Sequence, residues 1–208
     1  MKLDYKKTIL IGFAFLSISA FWQMYDNLTP LILTNTFKMK ETISGAIMAA
    51  DNVLALFLLP FFGSLSDRCN SKLGKRKPFI LFGTIAAVCL MTFIPVLDNS
   101  YYAAPTSAKA IGFIVLLGFL LISMGTYRSP AVALMPDVTP KPLRSKGNAI
   151  INLMGAAGGI LYLLATFFMY PKSKTEGLEH INYQPIFGVV SGIMILALII
   201  LMVFVKWD

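Results

Sequence analysis

Six apolar runs of about twenty residues or more divide the chain and fix what it can become. A helix needs roughly 20 apolar residues to cross the hydrocarbon core of a bilayer, and only helices or closed barrels satisfy their backbone there. The runs extend from about Thr8 to Leu33, Ile43 to Leu65, Pro78 to Leu97, Ala110 to Met135, Lys146 to Tyr170 and Pro185 to Val205. Segments between them carry charge, Pro, Asn and Ser, as loops do. Of the 208 residues 57% are hydrophobic and 13% charged. A soluble domain carries roughly 25% charged residues, so too little polar material is left to cover a water-facing surface. The sequence predicts an all-α integral membrane protein: residues 1–208 as a single six-transmembrane-helix bundle in a lipid bilayer.

The net charge of +8 would suit a nucleic-acid partner, but the basic residues sit in loops, where they set topology instead. Lys2, Lys6, Lys7, Arg68, Lys72, Lys75, Arg76, Lys77, Lys141, Arg144, Lys146 and Lys206 fall on one side, and Lys38, Lys40, Lys109, Lys172 and Lys174 on the other. That bias predicts both termini in the cytoplasm, no nucleic acid, and segments Asp98 to Lys109 and Pro171 to Gln184 outside. The basic start before the first run superficially suits a signal peptide. The run continues past Ala20 without a good cleavage site, so it is expected to stay as the first spanning helix. Cys69 and Cys89 should lie at different depths, with no disulfide and no metal-ligand spacing. His-Glu-x-x-His and Gly-x-Ser-x-Gly are missing, and His180 is the one histidine. The sequence therefore predicts no enzyme, no metal and no cofactor.

Three apolar runs carry a charge. Asp26, Asp51 and Arg128 lie in the first, second and fourth, where an ionised side chain costs about 2.5–3.5 kcal/mol unless it faces water or a partner. Those helices are expected to surround a polar cavity. The third and sixth runs have no ionisable residue between their ends and can face lipid. Ser19, Gln23, Asp26 and Pro30 share one helical face, flanked by Trp22 and Tyr25. An amide, a carboxylate and aromatic rings suit a sugar, whose hydroxyls take hydrogen bonds while its ring face stacks; the other use of such a stripe is helix packing. Asp51, next to Asn52, is a candidate proton carrier, a structural partner for Arg128 or a helix-packing hydrogen-bond group. Arg128, following Tyr127 and preceding Pro130, needs a carboxylate or a hydroxyl-rich ligand, or it snorkels to the interface. In the fifth run Asn148, Asn152, Gly155, Gly159 and Tyr162 form a polar, small face. Close packing is expected of the glycines, and Asn152 is a further ligand candidate.

The loop after the second run is the most specific signal. It reads Gly63-Ser64-Leu65-Ser66-Asp67-Arg68, then Ser71-Lys72-Leu73-Gly74-Lys75-Arg76-Lys77-Pro78-Phe79. An ordinary positive-inside loop accounts for the charges but not for Gly63, Asp67, Arg68, Gly74 and Arg76 at this spacing. Here the chain resembles the major facilitator superfamily, whose signature between helices two and three has the form Gly-x-Leu-(small)-Asp-Arg-x-x-Gly-(basic)-(basic); this copy has a longer stretch before Gly74. The ending through Lys77-Pro78-Phe79, together with Arg128-Ser129-Pro130, Ala133-Leu134, Asp137 and Arg144-Ser145-Lys146-Gly147-Asn148, looks like the glycoside and sucrose-type sugar–cation symporters.

The resemblance implies half of the family's usual twelve helices, a cavity lined mainly by helices one and four, and a gating role for the loop. Asp26 matches the helix-one carboxylate that similar melibiose-type permeases use for sugar. Arg128 falls where those permeases place an aspartate. Their paired helix-two cation-site carboxylates align near Ala55 and Leu59, so the resemblance favours protons over sodium, with Asp51 one turn away. The expected function is a transporter, or its N-terminal half, that moves a sugar or glycoside by alternating access coupled to protons. Its substrate ligands would be Asp26, Gln23, Trp22, Tyr25, Arg128 and Asn152, and its proton candidates Asp51 and Asp26. Its partner would be a second six-helix half or a copy of itself. A non-transporting receptor or scaffold, or an inactive fragment, is the alternative, ahead of a membrane-embedded enzyme.

Overall fold

The computed structural model describes residues 2–72 and 74–204. Leu73 of the loop signature, Val205 at the expected end of the sixth helix and Lys206 in the charge bias lie outside them. Six helices are long and apolar enough to cross a membrane. These are α1 (Tyr5–Leu31), α2 (Glu41–Asp67), α3 (Lys77–Ala103), α4 (Ser107–Val138), α5 (Arg144–Met169) and, after the short α6 (Lys172–Thr175), α7 (Gln184–Phe204). Local chemistry starts and stops them. The Asp4 carboxylate accepts from the Lys7 amide at 3.1 Å and caps α1, and the Thr106 hydroxyl caps α4 at 3.3 Å. Pro78 lies in the first turn of α3, where no helical donor is lost.

α1 is the central element. It packs on α5, α7 and α4, while α3 bridges α4 and α7 and α2 lies against α4. Close approach to α5 depends on Gly158: a Cβ there would collide with the Leu16 carbonyl of α1. The expectation had placed this contact at Gly155 and Gly159. A Cβ on Gly155 would instead sit 3.0 Å from the Ser19 hydroxyl, and one on Gly159 would be 4.0 Å from Gln23 Oε1. Those two glycines leave space in front of the polar face of α1.

Three local features depart from the sequence reading. α1 ends in a π-helical turn, Ile32–Thr36. Pro30 removes a helical donor just before it, and the Thr34 hydroxyl donates to the Pro30 carbonyl at 2.9 Å, so the ordinary ladder gives way there. α3 does not stop at Leu97 but runs to Ala103. Its last turns carry Tyr101, whose ring lies 4.3 Å from that of Phe37, and they bury Asp98. Finally, α3 and α7 each bury a stripe, including Ile80, Ala87, Met91 and Ile94 on α3 and Ile186, Val190 and Met194 on α7, while exposing the opposite face. The most open helix is α2, which buries only Ser44 and Ser66 and exposes Val53, Leu56, Phe57 and Phe61.

Candidate functional site

Two cavities open along α1. One, of about 500 Å³, lies between α1 and α5 and brings Gln23 and Asp26 opposite Asn152, Gly155 and Gly159. The other, of about 380 Å³, lies between α1, α2 and α4 and adds Asn52, Ala55, Arg128 and Val132. Phe15, Ser19, Trp22 and Asp26 line both, so the two spaces are lobes of one region that share this face of α1. Small-molecule sites commonly span roughly 300–1,000 Å³, and either lobe is large enough for a sugar ring.

Trp22 is held between Phe21, 5.3 Å away edge to face, and Tyr25, at 5.5 Å. The Arg128 guanidinium lies 5.6 Å from the centroid of the Trp22 ring, a cation–π distance. The indole Nε1 is buried and has no hydrogen-bond partner among the described residues, an arrangement that costs free energy.

The charges of the cavity are not paired with each other. Among the described residues no carboxylate lies within ion-pair distance of Arg128. Asp26 is exposed to the open lobe. Asp51 does not reach Arg128; it accepts a hydrogen bond from the hydroxyl of Tyr25. Its partner is thus the Tyr25 phenol on α1. Tyr25 is 2% exposed and lines neither lobe. Gln23, Trp22, Asp26, Arg128 and Asn152 come together around the lobes. Sequence reasoning left out Phe15 and Val132. Phe15 was findable, because it lies one turn before Ser19 on the same face.

The loop signature is a separate cluster, at the end of the bundle where α2 ends and α3 begins. Arg76, 9% exposed, pairs with Asp67 of α2 at 2.6 Å and with Asp137 of α4 at 2.9 Å, and donates to the Ser66 hydroxyl. Ser66 in turn donates to the Gly63 carbonyl at 3.1 Å. Gly63 leaves room for Ser129, whose hydroxyl would be 2.9 Å from a Cβ there and donates to the Leu59 carbonyl at 2.6 Å. Gly74 adopts φ +100°, a left-handed conformation that disfavours side chains. The Ser71 hydroxyl donates to its carbonyl at 2.7 Å. Arg68 is exposed and takes no part in the ion pairs.

A model of the family described as Major Facilitator Superfamily matches residues 11–208. The sucrose transport protein SUC3 of Arabidopsis thaliana is 31% identical over 64% of this chain and 24% of its own length. The sucrose transport protein SUT3 of Oryza sativa subsp. indica is 32% identical over 64% of this chain and 28% of its own. The sucrose transport protein SUT1 of Oryza sativa subsp. japonica is 26% identical over 86% of this chain and 36% of its own. The chain thus spans about a quarter to a third of the length of these curated relatives.

Proposed function

The chain belongs to the Major Facilitator Superfamily and is a multi-pass integral membrane protein; on that premise we propose that it is the N-terminal six-helix half of a sugar transporter. The substrate class is a disaccharide or glycoside that straddles Trp22. The observation that carries this reading is the unpaired polar wall of the lobe between α1, α2 and α4: Asp26 and Arg128 both line it, and neither has an ion-pair partner among the described residues. Arg128 can only donate to hydroxyls, whereas Asp26 can only accept when ionised. The Trp22 ring offers an apolar face for stacking. The names of the relatives point the same way, each being a sucrose transport protein.

Substrate would bind at the mid-depth of α1, and a second six-helix half would close the open side, the two bodies rocking about the site. The Lys/Arg bias puts both termini in the cytoplasm of a cell with this protein in its plasma membrane. The coupling ion is a proton. Asp51 is the carboxylate that carries it, and Tyr25 ties it to the helix that binds sugar, so a change at either end is felt at the other.

In the complete transporter reconstituted in vesicles, Asp51→Asn is expected to retain sugar binding and exchange while losing uptake driven by a pH gradient. Accumulation that stays proton-driven in this variant removes Asp51 from the mechanism. Sodium-dependent uptake by the unmodified transporter would overturn the proton reading altogether.

A further inference from the structure

We propose that the chain has a second proton-binding site, at the end of the bundle opposite the Arg76 cluster, built from His180 and Asp98, which docks the α6–α7 connection onto α1 and α3. The inference is independent of the sugar reading.

Asp98 is fully buried, and neither of its oxygens has a hydrogen-bond partner among the described residues. An ionised carboxylate held in this way is strongly disfavoured. The one group at hand that can carry a compensating charge is His180, whose Nε2 lies 3.7 Å from Asp98 Oδ2. The other titratable groups around the pair do not supply one. Tyr102 of α3 stacks on the imidazole, 4.3 Å between centroids and 11° between planes, and its hydroxyl donates to Glu179 at 3.1 Å. Tyr183 faces Asp98 from the connection, with Tyr170 and Tyr162 beyond it; burial, then these neighbours, push the Tyr183 phenol up to about 12, so it stays neutral. Lys109 of α4 is engaged elsewhere, donating to the carbonyls of Ser100 and Ala104 at 3.2 and 3.0 Å.

The hydrogen bonds of His180 show what a proton changes. Nε2 lies 2.7 Å from Asn99 Oδ1, and an amide oxygen only accepts, so Nε2 carries a hydrogen in either charge state. That leaves Nδ1 as the atom that gains the proton. It lies 3.4 Å from the Thr36 hydroxyl, which stands beside Asp98 without closing a bond of ordinary geometry to it. With His180 neutral, Nδ1 is an acceptor and the Thr36 hydroxyl turns to it, away from Asp98. With His180 protonated, Nδ1–H donates to Thr36, whose own hydrogen is released to turn to Asp98. One proton therefore supplies both the missing charge and the missing donor. No other bond is made or broken.

Thr36 closes the π-helical turn of α1, while Asn99 and Asp98 belong to α3. The protonated cluster thus pins the end of α1 to α3 through the connection. Histidine ordinarily changes charge between pH 5 and 8. Docking takes up a proton, so it strengthens as pH falls through that range and weakens as pH rises, by up to tenfold per pH unit for one proton.

The test is amide hydrogen exchange over residues 176–183 in the full chain, in detergent or nanodiscs, from pH 5 to 8, with the intrinsic pH dependence of exchange removed. His180 is the chain's one histidine, so no other imidazole contributes. Wild type is expected to lose at least tenfold protection across the range. His180→Gln, which can still donate to Asn99 but cannot charge, should show a flat profile, as should Asp98→Asn. A flat wild-type profile, or a wild-type slope retained in either variant, overturns the proposal. If one variant does not fold, the wild type and the other variant decide it.

Discussion

Two arginines, Arg76 and Arg128, divide the molecule. Arg76 is nearly buried and surrounded by matched partners: Asp67, Asp137 and Ser66 from the ends of α2 and α4. Arg128 is half-buried within α4 and has an aromatic face but no carboxylate. Matched charge in a low-dielectric place fixes elements relative to one another. Removing one side of it leaves the others uncompensated, which is where the large cost arises. Unmatched charge is expensive to keep inside a membrane protein, and it persists where a ligand or water completes it. The Arg76 cluster ties the ends of α2, α3 and α4 to one another, while Arg128 is left facing a cavity.

The sharpest break of this comparison is to exchange the consequences. Asp26→Asn and Arg128→Ala are each expected to weaken disaccharide binding by about tenfold to a hundredfold, the worth of one hydrogen bond to a charged group, with little change in thermal unfolding. Equilibrium binding and a melting curve on the same sample check both halves. Unchanged affinity with a lowered melting point would make these residues structural. On the other side of the comparison, Arg76→Ala should destabilise the bundle by about 2–4 kcal/mol and leave the sugar affinity of the folded fraction within about twofold. A selective loss of binding at full stability would erase the distinction between the two regions. A third break lies away from both arginines, at the contact of α1 with α5. Gly158→Ala pushes a methyl into the Leu16 carbonyl, at about 1–3 kcal/mol, and should alter the lobe between α1 and α5 more than the one beside Arg128. Asn152 variants measured in the same background would report that asymmetry.

Much of this was legible in the sequence. Hydrophobic length alone marks the six spanning helices, because a bilayer imposes a minimum length that no other constraint relaxes. The face Ser19, Gln23, Asp26 follows from helical spacing, and it does line the lobes. What could not be read follows from tertiary contacts. Asp98-Asn99-Ser100 looks like a loop because three polar residues end an apolar run, yet α3 continues through them, since Asp98 is buried under His180 and Thr36, more than 60 residues away in the chain on either side. Tyr25 shares the aromatic look of Trp22, and only its position shows that one supports Asp51 while the other lines the cavity. Gly155 and Gly159 fit a packing pattern, but the rotation of α5 against α1 selects Gly158 for the contact. The Gly-Asp-Arg loop was recognisable by spacing; that Arg76 rather than Arg68 would carry its ion pairs depends on which side chain turns inward between α2 and α4.

The most direct test reads the sugar at Trp22. The chain has two tryptophans, Trp22 and Trp207, so Trp207→Phe, with any tryptophan of the second half replaced in the same way, leaves Trp22 as the one indole reporter. Titrating this variant with a disaccharide should give a saturable change in emission, with a midpoint equal to the binding constant measured by calorimetry, and Arg128→Ala should shift that midpoint upward. Calorimetric binding that leaves the Trp22 emission unchanged would place the sugar elsewhere and contradict the assignment of the two-lobed cavity.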